Sequence, residues 1–325
     1  MKEKEYDYQL SNIKGILIFL VMFGHFLLVM GPKEVAVIDV IYSFHMPAFI
    51  FINGIFSQKV TFKKIGRLLG LFIMFQPLFL LLGLLTGYYK NIDLKMLITP
   101  AFHLWYLLAL AVWMLFAMYA NKRGKYAVDV LLIVLVLLVV AITNRYFYGT
   151  QFLTITRILS FFPYFIAGFY LDRSGFNKLR IFLKKYKYIC GIITLVLVIA
   201  LYNLFSTQPD EFLNLFYGFL NKTAFSVTTV GYIVNVMASF FLAFLWILLL
   251  IAIVPTKRTI MDIVGSDTLL PYILHPIIFY LMMTQRPFFM EQTMTFQLIF
   301  TILITIAIYG IFTMMLRKKA LRQLK

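Results

Sequence analysis

"NIKGILIFLVMFGHFLLVMG", residues 12–31, opens beside a lysine and then runs almost wholly apolar. About 20 apolar residues, at 1.5 Å rise each, cross the ~30 Å hydrocarbon core of a bilayer. The stretch therefore reads as a membrane helix, interrupted only by Gly24 and His25. Lys14 precedes His25 by eleven positions. At 100° per residue that is three turns plus about 20°, so both side chains share one helix face, ~16 Å apart along the axis. A cation at the mouth and an imidazole deep inside make a polar track through an apolar element.

The rest of the chain has the same character. Its 325 residues are 62% hydrophobic and 13% charged, far from a soluble composition. One integral membrane domain over 1–325 is the reading, rather than the two soluble domains that length alone suggests. The net charge is +17, but Lys and Arg sit between apolar runs, as membrane topology requires. That placement argues against nucleic acid as a partner. Cys190 is the single cysteine, so no intrachain disulfide forms. No small-x-small cleavage site follows the first apolar run, so it is expected to be retained rather than removed as a signal.

Ten helices are expected, over 13–31, 36–57, 67–88, 102–120, 126–144, 155–171, 187–206, 230–254, 266–284 and 295–316. The fold class is all-α and polytopic. The segment 210–229 alternates aromatic and polar residues and reads as interfacial. With the N-terminus placed in the cytoplasm, only Lys33, Lys90, Lys95, Arg145, Arg157, Lys222 and Arg286 fall outside. Every inner segment then carries at least two basic residues. This asymmetry predicts both termini cytoplasmic.

Charged and ionisable groups inside spans mark function more often than packing. Besides His25 there are His45 in the second span, His103 opening the fourth and His275 inside the ninth. A neutral imidazole accepts a proton from a hydroxyl, as general-base catalysis requires. No histidine pair has metal-ligand spacing, so no metal is expected. Four further stretches stand out: "FHMPAFIFING" (44–54), "HLWYLLAL" (103–110), "RILSFFPYFIAGFY" (157–170) and "GSDTLLPYILHP" (265–276). Proline and glycine inside spans are tolerated where freed backbone groups find partners or line a cavity.

Taken with Lys14-x10-His25, these stretches resemble the motifs of the acyltransferase-3 family of integral membrane acyltransferases. The likeness runs over nearly the whole chain and is nearest to stand-alone members similar to fucose 4-O-acetylase. There are departures. Ser11 and Asn12 stand where the family often has an acid, and Asn53 where serine is common. Lys64-Ile65-Gly66-Arg67 replaces Arg-x-x-Arg, so a point charge takes the place of a bidentate fork at 64.

The resemblance implies acyl transfer, usually of acetyl, from cytosolic acyl-coenzyme A to a hydroxyl of an extracytoplasmic or lipid-linked glycan. Acetyl-CoA would be a co-substrate, with no permanently bound cofactor. The family branch points to a bacterial plasma membrane. Oligomeric state leaves no mark in the sequence. His25 is the expected general base. Whether the acyl group passes directly or through an acyl-histidine is open. Lys63, Lys64 and Arg67, with Lys14, are expected at the donor's phosphates, because clustered cations suit anions. For Lys14 the roles of phosphate contact and simple anchor are both open. His103, Trp105 and Arg157 are expected on the acceptor side. His45 and His275 either complete the site or serve as structural hydrogen-bonding groups. A competing class is a glycan transporter or flippase that transfers nothing. Asp39, Asp129, Asp172, Asp262 and Asp267 lie near expected span ends rather than mid-membrane, which weighs against a proton-coupled carrier. H-x4-D, D-x-D and G-x-S-x-G are all absent, which removes other transferase and esterase chemistries.

Overall fold

The computed structural model describes residues 6–123, 154–207, 212–218 and 229–323, and within these it is all-helical. The span expected at 126–144 lies outside the described residues. The helices are α1 (Tyr8–Met30), α2 (Val35–Tyr42), α3 (His45–Ile55), α4 (Phe62–Leu85), α5 (Trp105–Arg123), α6 (Ile155–Lys184) and α7 (Lys187–Thr207). After them come α8 (Leu213–Phe216), α9 (Thr229–Ile253), α10 (Ile260–Ser266), α11 (Leu269–Met283), α12 (Arg286–Glu291) and α13 (Met294–Gln323). Six described stretches are long and apolar enough to cross a membrane: Tyr8–Met30, Pro32–Gln58, Phe62–Leu85, Lys187–Thr207, Val234–Ile253 and Met294–Lys319. The pair α10 and α11 makes a seventh if it forms one bent crossing. Helix α7 leaves Ile189, Ile192, Leu195, Val196 and Ile199 exposed. A helix apolar all round with little protein cover is at home in lipid, not in water.

Two compact units are present. The first comprises Met1–Phe49, Leu179–Ser206 and Leu245–Lys325, and the second Ile50–Lys178 and Thr207–Phe244.

In the first unit α1 begins at Tyr8, five residues before the expected start. Asp7 caps it by accepting from the Leu10 amide. The polar residues of this added stretch are buried because they have work to do. Gln9 Nε2 donates to the carbonyls of Ile251 and Val254, at 2.8 and 2.9 Å. Asn12 Nδ2 donates to those of Pro255 and Lys257, at 2.9 and 2.7 Å. The end of α9 leaves carbonyls without helical donors, and α1 supplies them from side chains. Asp7 also pairs with Arg180 at 3.0 Å.

Helix α10 crosses α1 at backbone contact. A Cβ at Gly265 would overlap the Ser11 carbonyl, and one at Gly15 would overlap the Met261 carbonyl. Small residues four apart, Ser11 and Gly15, allow this approach in a membrane. The helix expected at 266–284 is α11, and α10 precedes it at a bend of 94°. Pro271 is the third residue of α11, where its missing N–H costs nothing. Thus α10 is held against the first half of α1, and α11 runs from the bend to meet α1 again at His25.

The helix expected at 36–57 is also broken. A turn at Pro32–Glu34 leads into α2, and α3 starts at His45 with Pro47 in its first turn. Glu34 and Asp39, the latter expected at a span end, are both fully buried.

The second unit has its own close helix pair. A Cβ at Gly54 of α3 would overlap the Phe165 carbonyl of α6, and one at Gly168 would overlap that of Phe51. Gln58 Nε2 donates to the Phe169 carbonyl beside this crossing. Helix α6 outruns its expected end at 171 but kinks there. Asp172 takes φ +52° and accepts from the Ser174 and Gly175 amides, capping the continuation. Gln76 of α4 pins the loop before α5, donating to Met96 and Thr99 and accepting from the Ala101 amide.

Candidate functional site

Helix α1 carries His25 seventeen residues from its start and five from its end, about 26 Å along the axis. Its ring meets that of His275 on α11. The His25 Nδ1 to His275 Nε2 distance is 2.8 Å, with ring centroids 5.1 Å apart and planes 24° from parallel. His275 is completely buried. Its other nitrogen, Nδ1, lies 2.8 Å from the Pro271 carbonyl oxygen.

These three groups fix the protons. A carbonyl only accepts, so His275 Nδ1 bears the hydrogen and donates it to Pro271. A neutral His275 then has its lone pair at Nε2. His25 must donate to that lone pair from Nδ1, which leaves the basic nitrogen of a neutral His25 at Nε2. Carbonyl, outer imidazole and inner imidazole thus form a relay of the kind that orients a catalytic base.

Tyr42 of α2 stands edge-on to His25, ring centroids 6.5 Å apart, and 4.6 Å from the ring of His45. Gly24 exists for this ring, because a Cβ there would come within 2.7 Å of Tyr42 Cε1. His45 Nδ1 donates to the Ile41 carbonyl at 2.9 Å, so the lone pair of a neutral His45 is also at Nε2. Of the four histidines, the first unit therefore joins His275 to His25, and Tyr42 stands between His25 and His45. Lys14 is half-buried, on the α1 face that also carries His25.

The second unit holds the other expected site residues. Lys63, Lys64 and Arg67 are exposed on the opening turns of α4, after the Thr61 cap. Trp105 opens α5 and stacks on Phe161 at 5.3 Å. The Arg157 guanidinium lies 5.2 Å from the Trp105 ring and 5.6 Å from that of Tyr217. Held between two aromatic faces, it is fixed by cation–π attraction. His103 packs edge-on to Phe79 at 5.0 Å. Phe102 just before it takes φ +42°, a conformation strained for a non-glycine residue.

Residues 7–315 match the family model described as an acyltransferase domain, of the acyltransferase-3 type. The chain belongs to the acyltransferase-3 family. It is a multi-pass membrane acyltransferase. No curated protein and no solved structure matches it. Three glycines within the family-like stretches, Gly54, Gly168 and Gly265, serve backbone-to-backbone helix crossings.

Sequence reasoning missed Tyr42, Tyr217 and the capping pair Gln9 and Asn12. Tyr42 had one legible signal, the glycine beside a buried histidine. Asn12, noted as a departure from an acid, accepts from the Thr259 hydroxyl at 2.7 Å as well as tethering the Pro255–Lys257 loop.

Proposed function

We propose that this acyltransferase moves an acyl group, typically acetyl, from cytosolic acyl-CoA to a hydroxyl of an extracytoplasmic or lipid-linked glycan, with His25 as general base. The observation that carries the reading is the Pro271–His275–His25 relay, which leaves Nε2 of His25 as the proton acceptor. In the proposed step the acceptor hydroxyl gives its proton to His25 Nε2 while its oxygen attacks the thioester carbonyl. The tetrahedral intermediate collapses, the C–S bond breaks, and the leaving thiolate takes the proton from His25. Protons balance within the step, and nothing is oxidised or reduced. An acyl-histidine route would use the same nitrogen as nucleophile.

Lys14 and the cations Lys63, Lys64 and Arg67 are the proposed contacts for donor phosphates. Trp105 suits the C–H face of a sugar, and Arg157 suits its hydroxyls or a developing oxyanion. His103 joins them on the acceptor side and His45 beside the base. The remaining assignments are ten spans, cytoplasmic termini and a bacterial plasma membrane.

Mass spectrometry of surface glycans from cells with and without the protein tests this reading. A mass difference of one acyl group is expected. Glycan that reaches the surface unmodified in a protein-dependent way would identify a flippase instead.

A further inference from the structure

The first unit holds a cleft of about 470 Å³ that the proposed chemistry does not use. It opens among the start of α1, the helix α10 and the end of α13. Its volume falls in the range of small-ligand sites. Tyr6 and Tyr8 form one wall, with ring centroids 4.9 Å apart, edge to face. Arg258, Arg317 and Lys319 bring three cations against two carboxylates, Asp262 and Asp267. Lys319 is spent on Asp267 at 2.8 Å. Arg317 has no carboxylate partner among the described residues.

Asp262 is the unusual member. It is 4% exposed, and its Oδ1 has no hydrogen-bond partner among the described residues. The nearest cation, Arg258 Nε, stands 3.8 Å away, beyond hydrogen-bond reach. A buried carboxylate oxygen left so is costly unless a ligand donates to it. Burial holds the Tyr6 phenol above its ordinary pKa, so it stays a donor at neutral pH.

We infer that this cleft binds a nucleoside phosphate, the nucleotide end of the acyl-CoA donor. The purine stacks on Tyr6 and Tyr8, the ribose 3′-phosphate, distinct from the diphosphate assigned above, meets Arg317 and Arg258, and a ribose hydroxyl or the exocyclic amine donates to Asp262. The inference rests on the acyl-CoA reading and adds the place where its nucleotide docks. Reach supports it. Gly265 and Met261 of α10 touch α1 at Ser11 and Gly15. These positions lie about 21 and 15 Å from His25 along the helix. The thiol of coenzyme A is about seventeen bonds from its ribose, or about 20 Å at the rise per bond of an extended chain. Tyr8 itself stands about 26 Å from His25 along the helix, so the thioester reaches His25 from a ribose held at Asp262, next to Met261, with the purine beyond it on Tyr6 and Tyr8.

The test is calorimetry on the purified full chain in detergent, with desulfo-coenzyme A and adenosine 3′,5′-bisphosphate as probes. Both should bind the wild type. Arg317→Ala, and Ser266→Trp, which fills the cleft from an exposed position, should each weaken both probes at least tenfold. Arg317→Lys should restore most of the loss. Unchanged affinity in the Arg317→Ala and Ser266→Trp variants, with desulfo-coenzyme A still bound by the wild type, overturns the cleft but leaves the donor reading standing. Failure of the wild type to bind desulfo-coenzyme A overturns both. A parallel run in nanodiscs separates the other source of phosphate. If phosphatidylglycerol displaces the bisphosphate and phosphatidylcholine does not, the cleft holds a lipid headgroup and the inference is wrong.

Discussion

Replacing His275 by phenylalanine keeps a ring of similar shape and removes the acceptor for His25 Nδ1. In the ground state the lost bond is one between neutral imidazoles. Once His25 Nε2 takes the hydroxyl proton, its Nδ1–H becomes a cationic donor to His275 at 2.8 Å. Hydrogen bonds to charged groups contribute about 1.5–3 kcal/mol. Most of that difference is realised only as the proton moves, so it belongs to the transition state. At about 1.36 kcal/mol per tenfold, kcat should fall roughly 10- to 150-fold while the donor KM holds. The assay is transfer of radiolabelled acetyl from acetyl-CoA to membrane glycan in inverted vesicles, at matched protein abundance. His275→Gln, whose amide oxygen can accept, should recover part of the rate. An undiminished kcat in the phenylalanine variant, or a loss wholly in donor KM, refutes the relay.

Other perturbations have equally definite outcomes. Gly24→Ala pushes a methyl to 2.7 Å from Tyr42 Cε1. Overpacking of this kind costs about 1–3 kcal/mol, and kcat should fall with a lowered melting midpoint in detergent, partly relieved by Tyr42→Leu. Gly265→Ala meets backbone rather than a movable side chain, so α10 must leave α1 and the thermal midpoint should drop further than for Gly24→Ala. Gln76→Leu abandons three hydrogen bonds to the loop before α5, and limited proteolysis should cut near 94–101 faster than in the wild type. Arg157→Lys keeps the charge but loses the planar stack between Trp105 and Tyr217, so the acceptor KM should rise with the donor KM unmoved.

Membrane character was fully legible in the sequence, because hydropathy over twenty residues is a local property. The shared face of Lys14 and His25 followed from helical spacing, and α1 keeps it. The helix breaks were only half legible. Prolines at 47, 163 and 271 marked irregularity, yet Pro47 and Pro271 sit in first turns, and the sharp bend between α10 and α11 falls before Pro271. The start of α1 was misplaced because Gln9, Ser11 and Asn12 look like loop residues. Their burial depends on the end of α9 and on α10, some 240 positions or more away, which no local pattern reveals. The meeting of His25 with His275 was beyond spacing arguments for the same reason. Asp39, expected near a span end, is buried together with Glu34 by tertiary packing around the broken second span.

The most direct measurement of the central claim is label transfer by the purified protein in liposomes supplied with acetyl-CoA and glycan acceptor, comparing wild type with His25→Ala. The account predicts acylated glycan from the wild type and none above background from His25→Ala at equal inserted amount. Full transfer by His25→Ala would contradict it.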